Sequence, residues 1–476
     1  MPFNSLPLFI AIALVFSTFA EAHGASAGVR QRPNIILMMA DDLGWGDVGF
    51  NGNTIIQTPH LDAMAAAGLK FNRFYSAAPV CSPTRGSCLT GRHPFRYGIQ
   101  GANKGHIKTG EITLAELLKE LGYTSGHFGK WHLGTLTPEY SGKGPGRKPK
   151  ENYSPPDRNG FDEWFSTEFA VATWDPYARE NSHVAKRLGY DTRALYWHNG
   201  SNVTTPLEGD DSRIIMDRAI PFIRDAAKAD RPFFTVIWFH APHSPVVGGP
   251  AYRALYQDYP ENKQHYYACI TALDEQVGRL RKTLREVGVA DNTMLWFCSD
   301  NGPAGQGGGT QQRSGGRQQG SAGPFRGRKG SLFEGGVRVP GILEWPAQID
   351  SGTQTDLPLV TSDYLPTIAG VLGVELLGTR PYDGIDVLPL IQTERTNRPQ
   401  PIGFRSPGQL AWNDNRFKLI SPDKGESWML FDLIEDCSET INVASKLPAT
   451  LARMKAQLNA WMAECSRSDR GEDYGE

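Results

Sequence analysis

The chain has 476 residues, 39% of them apolar and 21% charged, a balance that supports a large core and excludes wholesale disorder. Lys and Arg number 49 against 51 Asp and Glu, a net charge of −2, which argues against nucleic acid as the main partner. Six cysteines with no C-x-x-C pair fit neither a disulfide scaffold nor a zinc site.

In chain order, Leu6 to Ala20 form an apolar run of 15, shorter than the roughly 20 residues of a membrane-spanning helix. Ala20-Glu21-Ala22 fits a signal-peptidase site, although no Lys or Arg precedes the run. Residues 1–22 therefore read as an export signal. The mature protein is expected in the periplasm or outside the cell (in a lysosome if eukaryotic), with no stable membrane insertion.

Asn34 to Ala40 is apolar on both faces, as in a buried parallel strand, and runs into Asp41 and Asp42. The stretch from Cys81 to Arg92 (CSPTRGSCLTGR) reads as a short helix, with Ser82 expected as its cap, Pro83 in its first turn and Gly91 at its end. Cys81 then sits at the N-terminus, where backbone N–H groups and the helix dipole favour an anion, and Arg85 adds charge one turn on. Ile112 to Leu121 has helical spacing and stops at Gly122. Ser141 to Pro156 is a loop rich in Pro, Gly and Lys.

Pro232 to Phe239 and Thr293 to Cys298 repeat the buried-strand pattern. The former leads to His240 and His243, the latter to Asp300 and Asn301. Between them Tyr266, Ile270, Leu273, Val277, Leu280 and Leu284 mark one face of a long helix. Gly302 to Gly327 is a Gly-, Gln-, Ser- and Arg-rich loop without phosphate-loop spacing. Beyond residue 395, short strands are expected at Ile402 to Phe404, Arg416 to Ile420 and Trp428 to Asp432, then a helix from about Pro448 to Glu464. This divides the chain into a catalytic domain, 23–394, and a small C-terminal antiparallel-sheet subdomain, 395–476.

Strands alternating with helices imply an α/β fold with a doubly wound mixed sheet flanked by helices. Ligands of such sheets lie beyond the carboxyl ends of the strands. Three distant segments thus deliver His240, His243, Asp41, Asp42, Asp300 and Asn301 to one edge. Their carboxylate and amide oxygens suit a hard divalent cation.

The C-x-P-x-R pattern at Cys81, followed by Leu89-Thr90-Gly91-Arg92, resembles the signature of the type I sulfatases, members of the alkaline-phosphatase-like superfamily. Pro33-Asn34-Ile35-Ile36, Asp41-Asp42-Leu43-Gly44, Gly129-Lys130-Trp131-His132-Leu133-Gly134, His240-Ala241-Pro242-His243-Ser244-Pro245, Ser299-Asp300-Asn301-Gly302, Lys329-Gly330 and Phe333-Glu334-Gly335-Gly336-Val337-Arg338 continue the resemblance in the family's order. Gly323-Pro324-Phe325-Arg326-Gly327 looks similar to N-acetylgalactosamine-6-sulfatase-like members.

The resemblance implies that Cys81 becomes Cα-formylglycine through a formylglycine-generating enzyme. It implies that Asp41, Asp42, Asp300, Asn301 and residue 81 hold Ca²⁺, with Mg²⁺ as the alternative. One hydroxyl of the hydrated aldehyde would attack sulfur, displacing the alcohol, with Asp300 as base. Loss of the second hydroxyl's proton to His132 would then expel sulfate and re-form the aldehyde. Arg85 and Lys130 would hold the modified residue and a sulfate oxygen, and His243 or Lys329 would serve the leaving oxygen. The substrate would be a sulfated small molecule or glycan. Two alternatives stand: a phosphomonoesterase or phosphodiesterase of the same superfamily, and a non-catalytic binder of sulfated glycans.

Thr84 stands where family members commonly carry serine or alanine. Cys88 lies about two helical turns from Cys81, too far to bond it without distortion. Cys437 and Cys465 are a candidate disulfide that export would permit, and Asn199 and Asn202 head N-x-[ST] sequons.

Overall fold

The computed structural model describes residues 32–102, 104–139, 141, 148–177, 196–205, 207–305, 316–376 and 378–474. The export signal and parts of the two expected loops (142–147 and 306–315) lie outside the described residues.

The strands follow in chain order as β1 (Asn34–Ala40), β2 (Leu69–Phe71), β3 (Phe74–Tyr75), β4 (Thr124–Lys130), β5 (Glu163–Thr167), β6 (Tyr196–His198), β7 (Ser201–Asn202), β8 (Phe233–Trp238), β9 (Thr293–Ser299), β10 (Arg338–Val339), β11 (Gly341–Glu344), β12 (Thr353–Thr355) and β13 (Leu359–Val360). Ten form one sheet in the order β12-β2-β11-β9-β1-β8-β4-β5-β6-β7. The five central strands, β9-β1-β8-β4-β5, are parallel, whereas β11 runs antiparallel to β9 and β2, and β6 to β5 and β7. The sheet is therefore mixed, as expected, and the three predicted buried strands are its centre.

Side chains alternate along β1 and split the core in two. Ile36, Met38 and Ala40 pack with the helices Pro59–Ala67, Asp211–Lys228 and Glu261–Glu286. Ile35, Leu37 and Met39 pack with Cys81–Thr90, Leu114–Glu120 and Tyr364–Leu372. The helix expected at 112–121 begins at Leu114, where Thr113 and Glu116 form a reciprocal capping box. Among the described residues, no helix is long and apolar enough to cross a membrane.

β4 was not expected from the sequence. Its residues, TSGHFGK, include two glycines, which ordinarily weaken a strand. Here close packing requires them. A Cβ on Gly129 would lie 2.0 Å from the Trp238 carbonyl oxygen, and one on Gly126 would lie 2.6 Å from the Phe128 ring. Gly129 also has φ 104°, open to glycine.

The C-terminal strands β14 (Ile402–Ser406), β15 (Gln409–Asn413), β16 (Phe417–Ser421) and β17 (Met429–Asp432) form an antiparallel meander. The expectation omitted β15, which follows a turn at Gly408 with φ 86°. The last helix runs from Pro448 to Asp469, beyond the expected end at Glu464. Its Met454, Leu458, Trp461 and Cys465 face Trp412, Leu419 and Leu430 of the meander. All six cysteines are free thiols, so Cys437 and Cys465 are not bonded. Cys465 instead packs into that apolar seam.

Candidate active site

Register aligns the carboxyl ends of the central strands. Ala40 pairs with Ser299 across β1 and β9, and Met39 with Trp238 across β1 and β8. The ladder continues one step into the loops, where the Asp300 N–H donates to the Ala40 carbonyl at 3.1 Å and the Asp41 N–H to the Ala241 carbonyl at 3.0 Å. Asp41, Asp42, Asp300 and Asn301 thereby converge, each at most 2% exposed. Asp42 and His132 occupy the left-handed region, φ 68° and 61°, where non-glycine residues cost energy and cluster at functional sites.

Cys81 begins its helix as expected, but Ser82 is not the cap. Val80 takes that position, and the Ser82 hydroxyl donates instead to the His132 carbonyl at 2.5 Å, with the Ala102 carbonyl 3.2 Å away. Ser82 thus ties the loop after β4 to the residue beside Cys81. Gly91 ends the helix with φ 67° and donates to the Ser87 carbonyl. The Cys88 thiol faces the Thr84 carbonyl within its own helix.

Each carboxylate meets a cation, and Asp41 Oδ2 meets two, since Arg85 Nη2 also lies 3.4 Å from it. Arg85 binds Asp300 Oδ2 through Nη2 at 2.6 Å and Nε at 3.1 Å, while its Nη1 donates to the Lys130 carbonyl. Trp238 supports the guanidinium at 5.2 Å, a contact the sequence reading did not assign. Lys130 Nζ lies 2.5 Å from Asp41 Oδ2. Lys329 Nζ lies 2.5 Å from Asp42 Oδ1, which also accepts from Asn301 Nδ2 at 2.7 Å. The Asp42 N–H donates to Asp300 Oδ1 at 3.1 Å.

These contacts leave a specific remainder. Asp41 Oδ1, Asp42 Oδ2 and Asn301 Oδ1 are buried and accept no hydrogen bond. Such atoms are costly unless a ligand takes them up. Donor atoms of Asp41, Cys81 and Asp300 lie within 4.8 Å of one another, as do those of Asp41, Asp42 and His243. The partnerless oxygens are hard donors, so the residues present fit a divalent cation beside residue 81.

The electrostatics are divided. Burial opposes charge on Asp41, but Lys130, His243, Arg85 and Lys329 together hold its carboxyl well below the usual range. Burial and then the neighbouring Asp41 push Asp300 up to about 7, against Arg85 and Lys130. Although burial opposes its charge too, Lys329 is raised, because Asp42, residue 81, Asp41 and Asp300 surround it. His243 is lowered to about 4, chiefly by burial. Its Nδ1 lies 2.5 Å from the Ser244 carbonyl, which fixes the hydrogen there, and Nε2 faces Asp42 Oδ2 at 3.8 Å.

His132 is buried next to this group, joined to it by the Ser82 bond. His240 is elsewhere: both its ring nitrogens are engaged by Thr167 and Asp211.

Comparison with known proteins gives a consistent picture. The sequence profile of the sulfatase family matches residues 33–374. N-acetylgalactosamine-6-sulfatase of Canis lupus familiaris is 34% identical over 393 residues, covering 79% of this chain and 69% of that protein. Steryl-sulfatase of Mus musculus is 31% identical over 455 residues, covering 81% and 70%. Among solved structures, Ps i-CgsB in complex with k-i-k-neocarrahexaose superposes with a TM-score of 0.78 at 28% identity, covering 93% of this chain and 97% of that one.

Proposed function

The chain belongs to the sulfatase family and is a sulfuric ester hydrolase, and from that premise we propose that it cleaves carbohydrate sulfate monoesters with residue 81, matured to formylglycine, as nucleophile. The observation that carries the reading is the trio of buried, partnerless oxygens on Asp41, Asp42 and Asn301 beside residue 81. The carbohydrate class draws support from the N-acetylgalactosamine-6-sulfatase relatives and from the structural neighbour in complex with k-i-k-neocarrahexaose.

Asp41, Asp42, Asp300, Asn301 and residue 81 would hold the cation, and as many as five protein donors suit calcium better than magnesium, which keeps several waters. When bound, it would polarise the sulfate oxygens and favour ionisation of the attacking hydroxyl. Hydrated formylglycine supplies two geminal hydroxyls, one to attack sulfur and one whose deprotonation expels sulfate.

The chain's own residues supply the rest. Asp300 accepts the first proton, and a carboxyl raised toward neutrality is suited to that task. Arg85 and Lys130 hold charge at the sulfuryl end. Lys329 stays cationic and offsets charge on the leaving oxygen. His243, with its hydrogen on Nδ1, presents an accepting Nε2. His132 takes the second proton.

Export belongs to the same proposal, as does a maturation enzyme acting on Cys81. The test is mass spectrometry of the tryptic peptide carrying residue 81, with sulfate release from a panel of sulfated sugars. A loss of about 18 Da together with sulfate release is expected. Modified protein that binds sulfated glycans without releasing sulfate would overturn the mechanism and leave a binding protein.

A further inference from the structure

The loop Phe239–His243 does two things for the site: its Ala241 carbonyl receives the Asp41 N–H, and its end carries His243, whose N–H donates to the His240 carbonyl at 2.8 Å. The side chain at the root of this loop is His240, which is fully buried. Its Nδ1 lies 2.7 Å from Asp211 Oδ2, and its Nε2 lies 2.7 Å from Thr167 Oγ1.

The hydrogens can be counted. A threonine hydroxyl has one hydrogen, and Thr167 Oγ1 lies 2.7 Å from the Phe169 carbonyl, which can only accept. Thr167 therefore donates there and accepts from His240 Nε2–H. On the other side, Asp211 Oδ1 already receives the Tyr196 hydroxyl. Tyr196 is raised well above the ordinary phenol range by burial and by Asp211, so it remains a donor. Asp211 Oδ2 then accepts from His240 Nδ1–H. Both ring nitrogens carry hydrogen, and a buried carboxylate neutralises the ring.

We infer that His240 is a positioning residue, an imidazolium clamped between Asp211 and Thr167 that fixes the loop holding Asp41 and His243. The clamp spans three elements: Asp211 from the helix Asp211–Lys228, Thr167 from β5 and Tyr196 from β6, whose ring stands edge-on to His240 at 6.0 Å. Among the described residues, His127 of β4 is a further titratable group that feels the charge on His240, and Asp210 caps the helix that carries Asp211. Thr167 also holds the residue that follows β4, since its carbonyl accepts the Trp131 N–H at 2.9 Å. One clamp therefore braces the segment with Lys130 and His132 and the loop with Asp41 and His243.

This inference rests on the reading of Asp41 and His243 as site residues. Its first test needs no turnover. Histidine-selective ¹⁵N labelling, with the His240 signal assigned by its loss in His240→Gln, reports both ring nitrogens. Both are expected in the protonated range at pH 7.5; one unprotonated nitrogen would overturn the imidazolium clamp. The second test is kinetic. Asp211→Asn and Thr167→Val, whichever folds, should lower kcat about 10- to 100-fold with KM changed less than about twofold. Unchanged kcat in a folded variant would overturn the positioning role. A wild type that releases no sulfate would instead sink the functional reading, and the nitrogen signals would still decide the clamp.

Discussion

The protein buries two clusters of charge, and they are finished differently. Near the C-terminal meander, Lys418 Nζ sits 2.9 Å from Glu334 and 3.1 Å from Glu439. The other Glu334 oxygen receives the Tyr75 hydroxyl at 2.9 Å and lies 3.4 Å from Arg338, while Glu439 also takes the Glu334 N–H. At the sheet edge Asp41, Asp42 and Asp300 also each have a cation, yet Asp41, Asp42 and Asn301 keep an oxygen that accepts nothing. In the first cluster Glu439 Oε1 also accepts no hydrogen bond, but it lies 3.1 Å from the Lys418 ammonium, so every carboxylate oxygen in this joint meets a cation or a donor. The second holds donor capacity that the chain does not use, and that difference, rather than burial or charge, marks a place for a ligand.

Changing residue 81 should break the comparison most sharply. In Cys81→Ser a sulfate ester formed on the hydroxyl has no second hydroxyl to expel it. Turnover should fall at least about a thousandfold while the melting temperature stays within about 2 °C. Steady multiple turnover by this variant, measured as sulfate release, would refute the geminal-hydroxyl route.

The mirror-image change is Lys418→Met. Removing one partner of a buried pair strands the others, at a cost of about 3–5 kcal/mol. Urea unfolding should show that loss, while kcat of the remaining folded protein is unchanged. Reduced kcat with full stability would mean that the joint serves the reaction.

Cation removal should separate the clusters again. A ligand held only by the folded state adds about 2.7 kcal/mol at a hundredfold excess over its Kd. Chelation should therefore lower the melting temperature of wild type and of Lys418→Met alike. In Asp42→Asn the shift should shrink, because a charged donor is lost from the partnerless set. Equal shifts in all three proteins would place the cation elsewhere.

How much of this was legible depends on what each segment had to bury. β1, β8 and β9 are apolar on both faces because helices cover both, and that pattern is readable without a structure. β4 is equally buried but carries no strand pattern, since the space around Gly126 and Gly129 is filled by Phe128, Phe222 and Trp238. The motif residues at strand ends could be placed because parallel strands deliver their carboxyl ends to one edge. Ser82 was misread because serine before proline favours a cap, and nothing local reveals that the His132 carbonyl competes for its hydroxyl. Trp238 under Arg85 and the His240 clamp depend on register between distant strands, which no short pattern encodes.

The smallest expected effect concerns the joint between the C-terminal helix and the main body. His93 lies edge-on to Trp461 with ring centres 4.7 Å apart, beside the ion pair of Arg96 and Asp383. Burial lowers His93 from 6.5 to about 3, with Arg96 and Arg405 adding to the effect and Asp383 opposing it. The folded protein therefore keeps His93 neutral where the unfolded chain protonates it. As pH falls below about 6.5 the unfolded state gains a proton that the folded state refuses, so stability is lost down to about pH 3, at about 1.4 kcal/mol per pH unit. His93→Gln keeps a polar group of similar reach but removes the titration. Between pH 7 and pH 5.5 it should lose about 1 kcal/mol less than wild type in urea unfolding. Equal losses would show that the acid sensitivity lies elsewhere and that this joint, unlike the sheet edge, carries no group kept from its preferred charge.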